Sequence, residues 1–120
     1  HEHDTQSASK RITLQFLELL ERQFPIESAN QELKLTSASD FANKLNVHVN
    51  HLNKSVKENT EKSTTALIKE RILQEAQTLI HYTDWNIAEI AFALGFKETT
   101  HFNNFFKKST KLTPSQYRNL

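Results

Sequence analysis

The chain has no cysteine and, in 120 residues, only one glycine and two prolines. Without Cys there is neither a disulfide framework nor a thiolate metal site. A single Gly leaves no material for a Gly-rich loop that cradles phosphates. No apolar run approaches the roughly 20 residues needed to span a bilayer, and nothing resembles a signal peptide. These absences fit a cytoplasmic protein. No nucleophile–base–acid set and no carboxylate pair appears, so no enzymatic activity and no cofactor are expected. Excess charge is also lacking, at a formal +1, so composition alone does not suggest a nucleic-acid partner.

What is present supports a small helical protein. Hydrophobic residues make up 37%, with eight Phe. That suffices for one ordinary domain, or for two small lobes sharing a helix. The charge is uneven. Residues 36–120 hold eleven Lys or Arg against eight Asp or Glu, a balance of +3, while the first 35 hold four against six, or −2.

The chain is organised around Asn86 to Leu120. Asp84 or Asn86 caps a helix on which Ile87, Ile90, Ala91 and Leu94 recur at helical spacing. Gly95 stands where that helix stops, because glycine enters the left-handed region without a Cβ clash. Phe96 then packs back under it. A second helix, about Glu98 to Ser109, keeps Phe102, Phe105 and Phe106 on its apolar side and turns Thr99, Thr100, Asn103, Asn104 and Lys107 to solvent. Helix, tight turn and amide-rich helix make the helix-turn-helix pattern.

The run I-A-E-I-A-x-x-L-G-F, then H-F-x-x-F-F-K-K, then T-P-x-x-Y-R, resembles the signature of AraC/XylS-type transcription regulators in their C-terminal DNA-binding domain. Ile87 to Phe96, Phe102 to Lys108 and Thr113 to Arg118 carry the match, and the likeness extends upstream to about Ser37. The resemblance implies sequence-specific binding of double-stranded promoter DNA, regulation of transcription (activation more often than repression) and contact with RNA polymerase. It also implies an effector or signalling domain upstream. The chain begins with His rather than Met, so residue 1 is read as the start of a fragment.

Taken in order, residues 1–9 read as a disordered tail or a cloning remnant. His1 and His3 flank Glu2, a spacing that holds a metal only loosely. From Lys10 to Phe24 one helical stripe runs through Ile12, Phe16, Leu19, Leu20 and Phe24, and Pro25 ends it. That helix packs on the first lobe or is the stub of a link to an upstream domain. Residues 26–34 are polar and without period. Ser37 or Ser39 caps another helix with Phe41, Ala42 and Leu45 inside. Asn46 takes the turn that Gly95 takes later, and a helix from Val49 to about Asn59 follows, with Leu52 and Val56 inward. F-A-N-K-L-N-V thus lies beside I-A-F-A-L-G-F as an internal repeat.

Thr64 to His81 is a long helix with a broad apolar face. In the resembled family it joins the lobes. Its length of roughly 27 Å is close to the ~34 Å rise of a DNA turn, so two recognition helices reach successive major grooves. The expected architecture is all-α, two helix-turn-helix lobes on one connecting helix. The first lobe covers 10–63, with its motif at about 37–60. The helix covers 64–81, and the second lobe 82–120, with its motif at about 86–109 and a C-terminal helix opened by Thr113 and Pro114.

Amides make bidentate bonds to adenine, and threonine methyls touch the thymine methyl. By the resemblance Asn50, Asn53 and Lys54 in the first copy, and Thr99, Thr100, Asn103 and Asn104 in the second, face the bases. The bland reading is an ordinary solvated surface. Lys57, Lys107 and Lys108 suit phosphates, which set register without carrying sequence information. His48 and His51 share a helix face, but no Cys or suitably spaced acid completes a metal site. His101 reaches a base or a phosphate or simply packs, and Arg118 reaches a phosphate or a carboxylate. The family commonly has Gly after each recognition helix, where this chain has Glu61 and Lys111. A positive φ there costs roughly 1 kcal/mol over Gly. The recognition helices carry no Arg, which tilts the expected site toward A·T. The near-neutral charge and missing glycines keep open a helical protein-interaction module with decayed DNA binding.

Overall fold

A computed structural model describes residues 2–120, with side chains from Gln6 onward. Among the described residues there are seven helices and no strand. They are α1 (Glu2–Arg22), α2 (Ala38–Lys44), α3 (Val49–Thr60), α4 (Thr64–Tyr82), α5 (Ile87–Ala93), α6 (Thr99–Thr110) and α7 (Pro114–Arg118). The chain divides into two compact units. One holds residues 1–24 and 35–70; the other holds 25–34 and 71–120.

In the first unit, Ile12, Phe16 and Leu20 of α1 meet Phe41 and Ala42 of α2 and Leu52 and Val56 of α3, all buried. Phe16 and Phe41 meet edge to face at 5.1 Å, the arrangement ring quadrupoles favour. The helix begins earlier than the polar composition of 1–9 suggests. α1 runs from Glu2, so the expected tail is helical there, and His1 lies outside the described residues. Ser9 explains the extension, being 6% exposed and bonded through Oγ to Glu58 at 3.1 Å. A polar residue buried with a partner holds its turn of helix in place.

In the second unit, Ile72, Ala76, Leu79 and Ile80 of α4 are buried, as are Ile90, Ala91, Ala93 and Leu94 around α5 and Phe102 and Phe106 of α6. Phe96 packs on Phe102 at 5.3 Å and on Phe105 at 5.4 Å, and Tyr117 closes on Phe106 at 5.4 Å. Residues 25–34, read from sequence as part of the first lobe, belong to this second unit. Ile26 and Leu33 are buried. The Ile26 amide donates to Glu75 Oε2 at 2.7 Å, and the Leu33 amide to the Ala93 carbonyl at 2.8 Å. Two apolar anchors in a polar stretch carry too little periodicity to reveal this from sequence. The unit boundary falls inside α4, between Glu70 and Arg71, not at the helix ends.

Arg118 is turned to the backbone. Its guanidinium donates to the carbonyls of Ile80 at 3.0 Å, Thr83 at 3.3 Å and Trp85 at 2.6 Å. The last carbonyls of a helix have no intrahelical donor, and a cationic fork satisfies several at once. Tyr82, at the end of α4, is 78% exposed.

Candidate nucleic-acid interface

The two helix-turn-helix motifs are built alike. Ser37 caps α2 and Asn86 caps α5, each in a capping box with the acid three residues on, which satisfies two orphan amide donors reciprocally. In the first box the Asp40 carboxyl lies below its usual range. The Thr36 amide at 3.0 Å is the main cause, opposed by burial and assisted by the Ser37 amide at 3.1 Å.

Both first helices then end in the same two-bond turn. The Asn46 amide donates to Asn43 and the Val47 amide to Ala42; the Gly95 amide donates to Phe92 and the Phe96 amide to Ala91. This is the Schellman pattern, which needs one left-handed residue. Asn46 supplies it at φ 57° and Gly95 at φ 90°. The second copy carries one more residue before its recognition helix, Lys97 and Glu98 against His48 alone.

The recognition helices also end alike. Thr60 Oγ1 donates to the Val56 carbonyl at 2.7 Å, and Thr110 Oγ1 to that of Phe106 at 2.9 Å. Each helix closes on a left-handed residue, Glu61 at φ 65° and Lys111 at φ 72°. The turn that glycine usually serves is kept here by side chains with a Cβ.

On α3, Asn50, Asn53, Lys54 and Lys57 are exposed. On α6, Thr100, Asn104, Lys107 and Lys108 are exposed, while Thr99 and Asn103 are half-buried. The side-chain amides of Asn50, Asn53, Asn103 and Asn104 have no hydrogen-bond partner among the described residues. Lys57 is held: its Nζ donates to the Glu61 carbonyl at 3.0 Å. The α3 set lies in the first unit and the α6 set in the second.

His48 has a structural task. Its Nδ1 accepts the Asn50 amide at 3.1 Å and caps α3. His101 stands 3.6 Å from Glu98, both exposed. Among the described residues, no group of three or more His, Cys, Asp or Glu is placed to hold a metal. No helix among them is long and apolar enough to cross a membrane.

Sequence reasoning placed the start of α4 at Thr64, where the structure has it, but gave that end of the helix no part in the interface. There Ser63 Oγ accepts the Ala66 amide at 3.0 Å, and Thr64 is buried with its Oγ1 unpartnered. The repeat contained a signal, since Ser63-Thr64 stands where the second copy has Thr113-Pro114.

The family described as a helix-turn-helix domain, of AraC type, matches residues 41–120. The chain belongs to the AraC-type helix-turn-helix family. Its resemblance to a histidine kinase of Formosa agariphila is 30% identity over 102 residues, covering 85% of this chain and 7% of that protein. To the transcriptional activator RhaR of Mannheimia succiniciproducens it is 27% identical over 92 residues, 77% of this chain and 32% of that one. The C-terminal domain of AraT, a response regulator from Geobacillus stearothermophilus, superimposes with a TM-score of 0.75 at 25% identity. That match covers 90% of this chain and 84% of AraT's domain. The chain therefore spans a small part of its full-length relatives. As an AraC-type domain it is a DNA-binding transcription-regulator module, and the family is one of regulators rather than enzymes. α1 lies ahead of the matched region, so the family likeness leaves its packing unaddressed.

Proposed function

We propose that this AraC-type module reads promoter DNA with both recognition helices, α3 and α6, in successive major grooves. The observation that carries this is the repeat itself. Asn53 and Asn103 occupy matching positions on α3 and α6, and neither amide has an internal partner. Lys57 and Lys107 match one turn further on. Free amides suit bidentate bonding to adenine, and flanking lysines suit phosphates. Asn50, Lys54, Thr99, Thr100 and Asn104 complete the base-reading set, and Lys108 the phosphate set. With no Arg in either recognition helix, the preferred boxes are A·T-rich.

The regulatory output is activation rather than repression, through RNA polymerase, in keeping with the description of RhaR as a transcriptional activator. A sensing or signalling region precedes the module in the whole protein, in keeping with its small share of the kinase and of RhaR. The module works in the cytoplasm, beside the chromosome.

The test is selection of the purified chain against a randomised duplex pool at moderate salt, followed by sequencing. Two enriched boxes about one helical turn apart are expected. A single box would limit base reading to one motif. No enrichment by a folded chain would turn the reading to a helical protein-interaction module.

A further inference from the structure

The two recognition helices match in sequence position but not in what holds them. On the inward side of α6, Phe96, Phe102, Phe105, Phe106 and Tyr117 interlock with ring centroids 5.3 to 5.9 Å apart. On that of α3 stand Leu52 and Val56, and the helix has no Phe, Tyr or Trp. Ring pairs favour particular geometries, whereas burial of aliphatic side chains has no direction. We propose that Ser9, Thr13 and Asn59 supply the missing direction and are positioning residues for base reading by α3. The proposal rests on the DNA reading above and deepens it by naming what aims the first recognition helix.

Asn59 follows Asn50 by about two and a half helical turns, so the two side chains leave α3 on opposite sides. Asn59 Nδ2 donates to Ser9 Oγ at 2.9 Å, to Thr13 Oγ1 at 3.2 Å and to the Ser55 carbonyl at 2.8 Å. Three oxygens at one end fix the sense of the amide. The bonds then run on in one direction, from Ser9 Oγ to Glu58 at 3.1 Å and from Thr13 Oγ1 to the Ser9 carbonyl at 2.9 Å. Ser9, Thr13 and Ser55 are buried, so a broken bond there strands its partner away from water. Hydrogen bonds weaken steeply when misaligned, and this set therefore holds α3 at one rotation about its axis. The second copy has no counterpart. Ser109 stands at the position of Asn59 and donates to the Phe105 carbonyl of its own helix at 2.9 Å. Lys108, at the position of Glu58, is exposed. The asymmetry makes base reading by the first motif, and not by the second, depend on a polar hold. Ser9 and Thr13 lie ahead of the family match, which begins at residue 41, so this hold belongs to the chain itself.

The experiment measures the affinity of the wild-type chain, Asn59→Ala, Thr13→Val and Thr13→Ser for the selected duplex, for versions substituted in either box and for random duplex. Folding of each variant is followed by circular dichroism. The box read by α3 is the one whose preference Asn53→Ala weakens. In Asn59→Ala and Thr13→Val, preference for the right base in that box should fall roughly tenfold, while the other box keeps its preference. Thr13→Ser retains the hydroxyl and should retain the preference. A smaller folded fraction weakens binding to every duplex alike and moves no ratio between them, so the readout separates aim from stability. Thr13→Val keeps the branched shape of the side chain and carries the comparison if Asn59→Ala does not fold. Full preference at both boxes in folded variants, or equal loss at both, would overturn the positioning role while leaving DNA reading intact. If the wild-type chain read no box through α3, base reading by that helix would fall, and the positioning role with it.

Discussion

Asn59 Nδ2 lies 2.9 Å from Ser9 Oγ, joining the end of the first recognition helix to the first turns of α1. The same amide reaches Thr13 Oγ1 at 3.2 Å and the Ser55 carbonyl at 2.8 Å, while Ser9 donates to Glu58 at 3.1 Å. Ser9, Thr13 and Ser55 are buried. A polar cluster of this kind has few alternative arrangements, because each broken bond strands a buried group. It fixes the rotation of α3 about its axis, and so the direction in which Asn50, Asn53 and Lys54 point.

Replacing Asn59 by Ala should therefore destabilise the first unit by about 1–3 kcal/mol, read by urea denaturation. Removing residues 2–9 should cost at least as much, since it takes Ser9 with it. A truncated chain as stable as the whole would show that the cluster contributes nothing.

Glu61 and Lys111 hold left-handed backbone at φ 65° and 72°. Changing either to Gly should raise stability by roughly 1 kcal/mol. The gains should add, because each residue lies in its own unit and well-separated sites are independent. Chemical denaturation of the single and double variants checks both statements. Loss of stability on Glu61→Gly would mean that its side chain contributes more than its backbone costs.

Asn53→Ala and Asn103→Ala should each weaken binding to the cognate duplex by about 1–3 kcal/mol and leave binding to random duplex nearly unchanged. Both amides lack internal partners, so folding stability should not move. Equal losses on cognate and random DNA would assign these residues to the backbone rather than to the bases.

The Asp40 carboxyl is held below its ordinary value of 3.8, chiefly by the Thr36 amide. A group whose folded pKa is depressed contributes stability above its unfolded pKa and loses it as pH falls through the folded one. The first capping box should accordingly weaken below about pH 3.8, and Asp40→Asn should flatten that part of the stability profile. Acid titration followed by circular dichroism reads this directly; the same profile in both proteins would remove Asp40 as the cause.

Much of this was legible in short windows. Ser37, Asn86 and Thr113 announce helix starts, because a capping oxygen needs only the next three residues to act. Gly95 and Asn46 announce turns for a similarly local reason, and Leu52, Val56, Phe102 and Phe106 mark inward faces by their spacing. The amide-rich outer faces of α3 and α6 follow from that same period. Other features depended on partners far along the chain. Ser9 is helical and buried because Glu58 and Asn59 stand opposite it, and Ile26 and Leu33 join the second unit through Glu75 and Ala93. Arg118 reads as a DNA or acid contact until the last turn of α4 and the residues just after it are seen to present three carbonyls to it. Thr64 looks like any first-turn threonine until packing takes water from its hydroxyl. Caps, turns and stripes are set by neighbours within a few bonds, whereas the partner of a buried polar group is chosen by the packing of the whole unit.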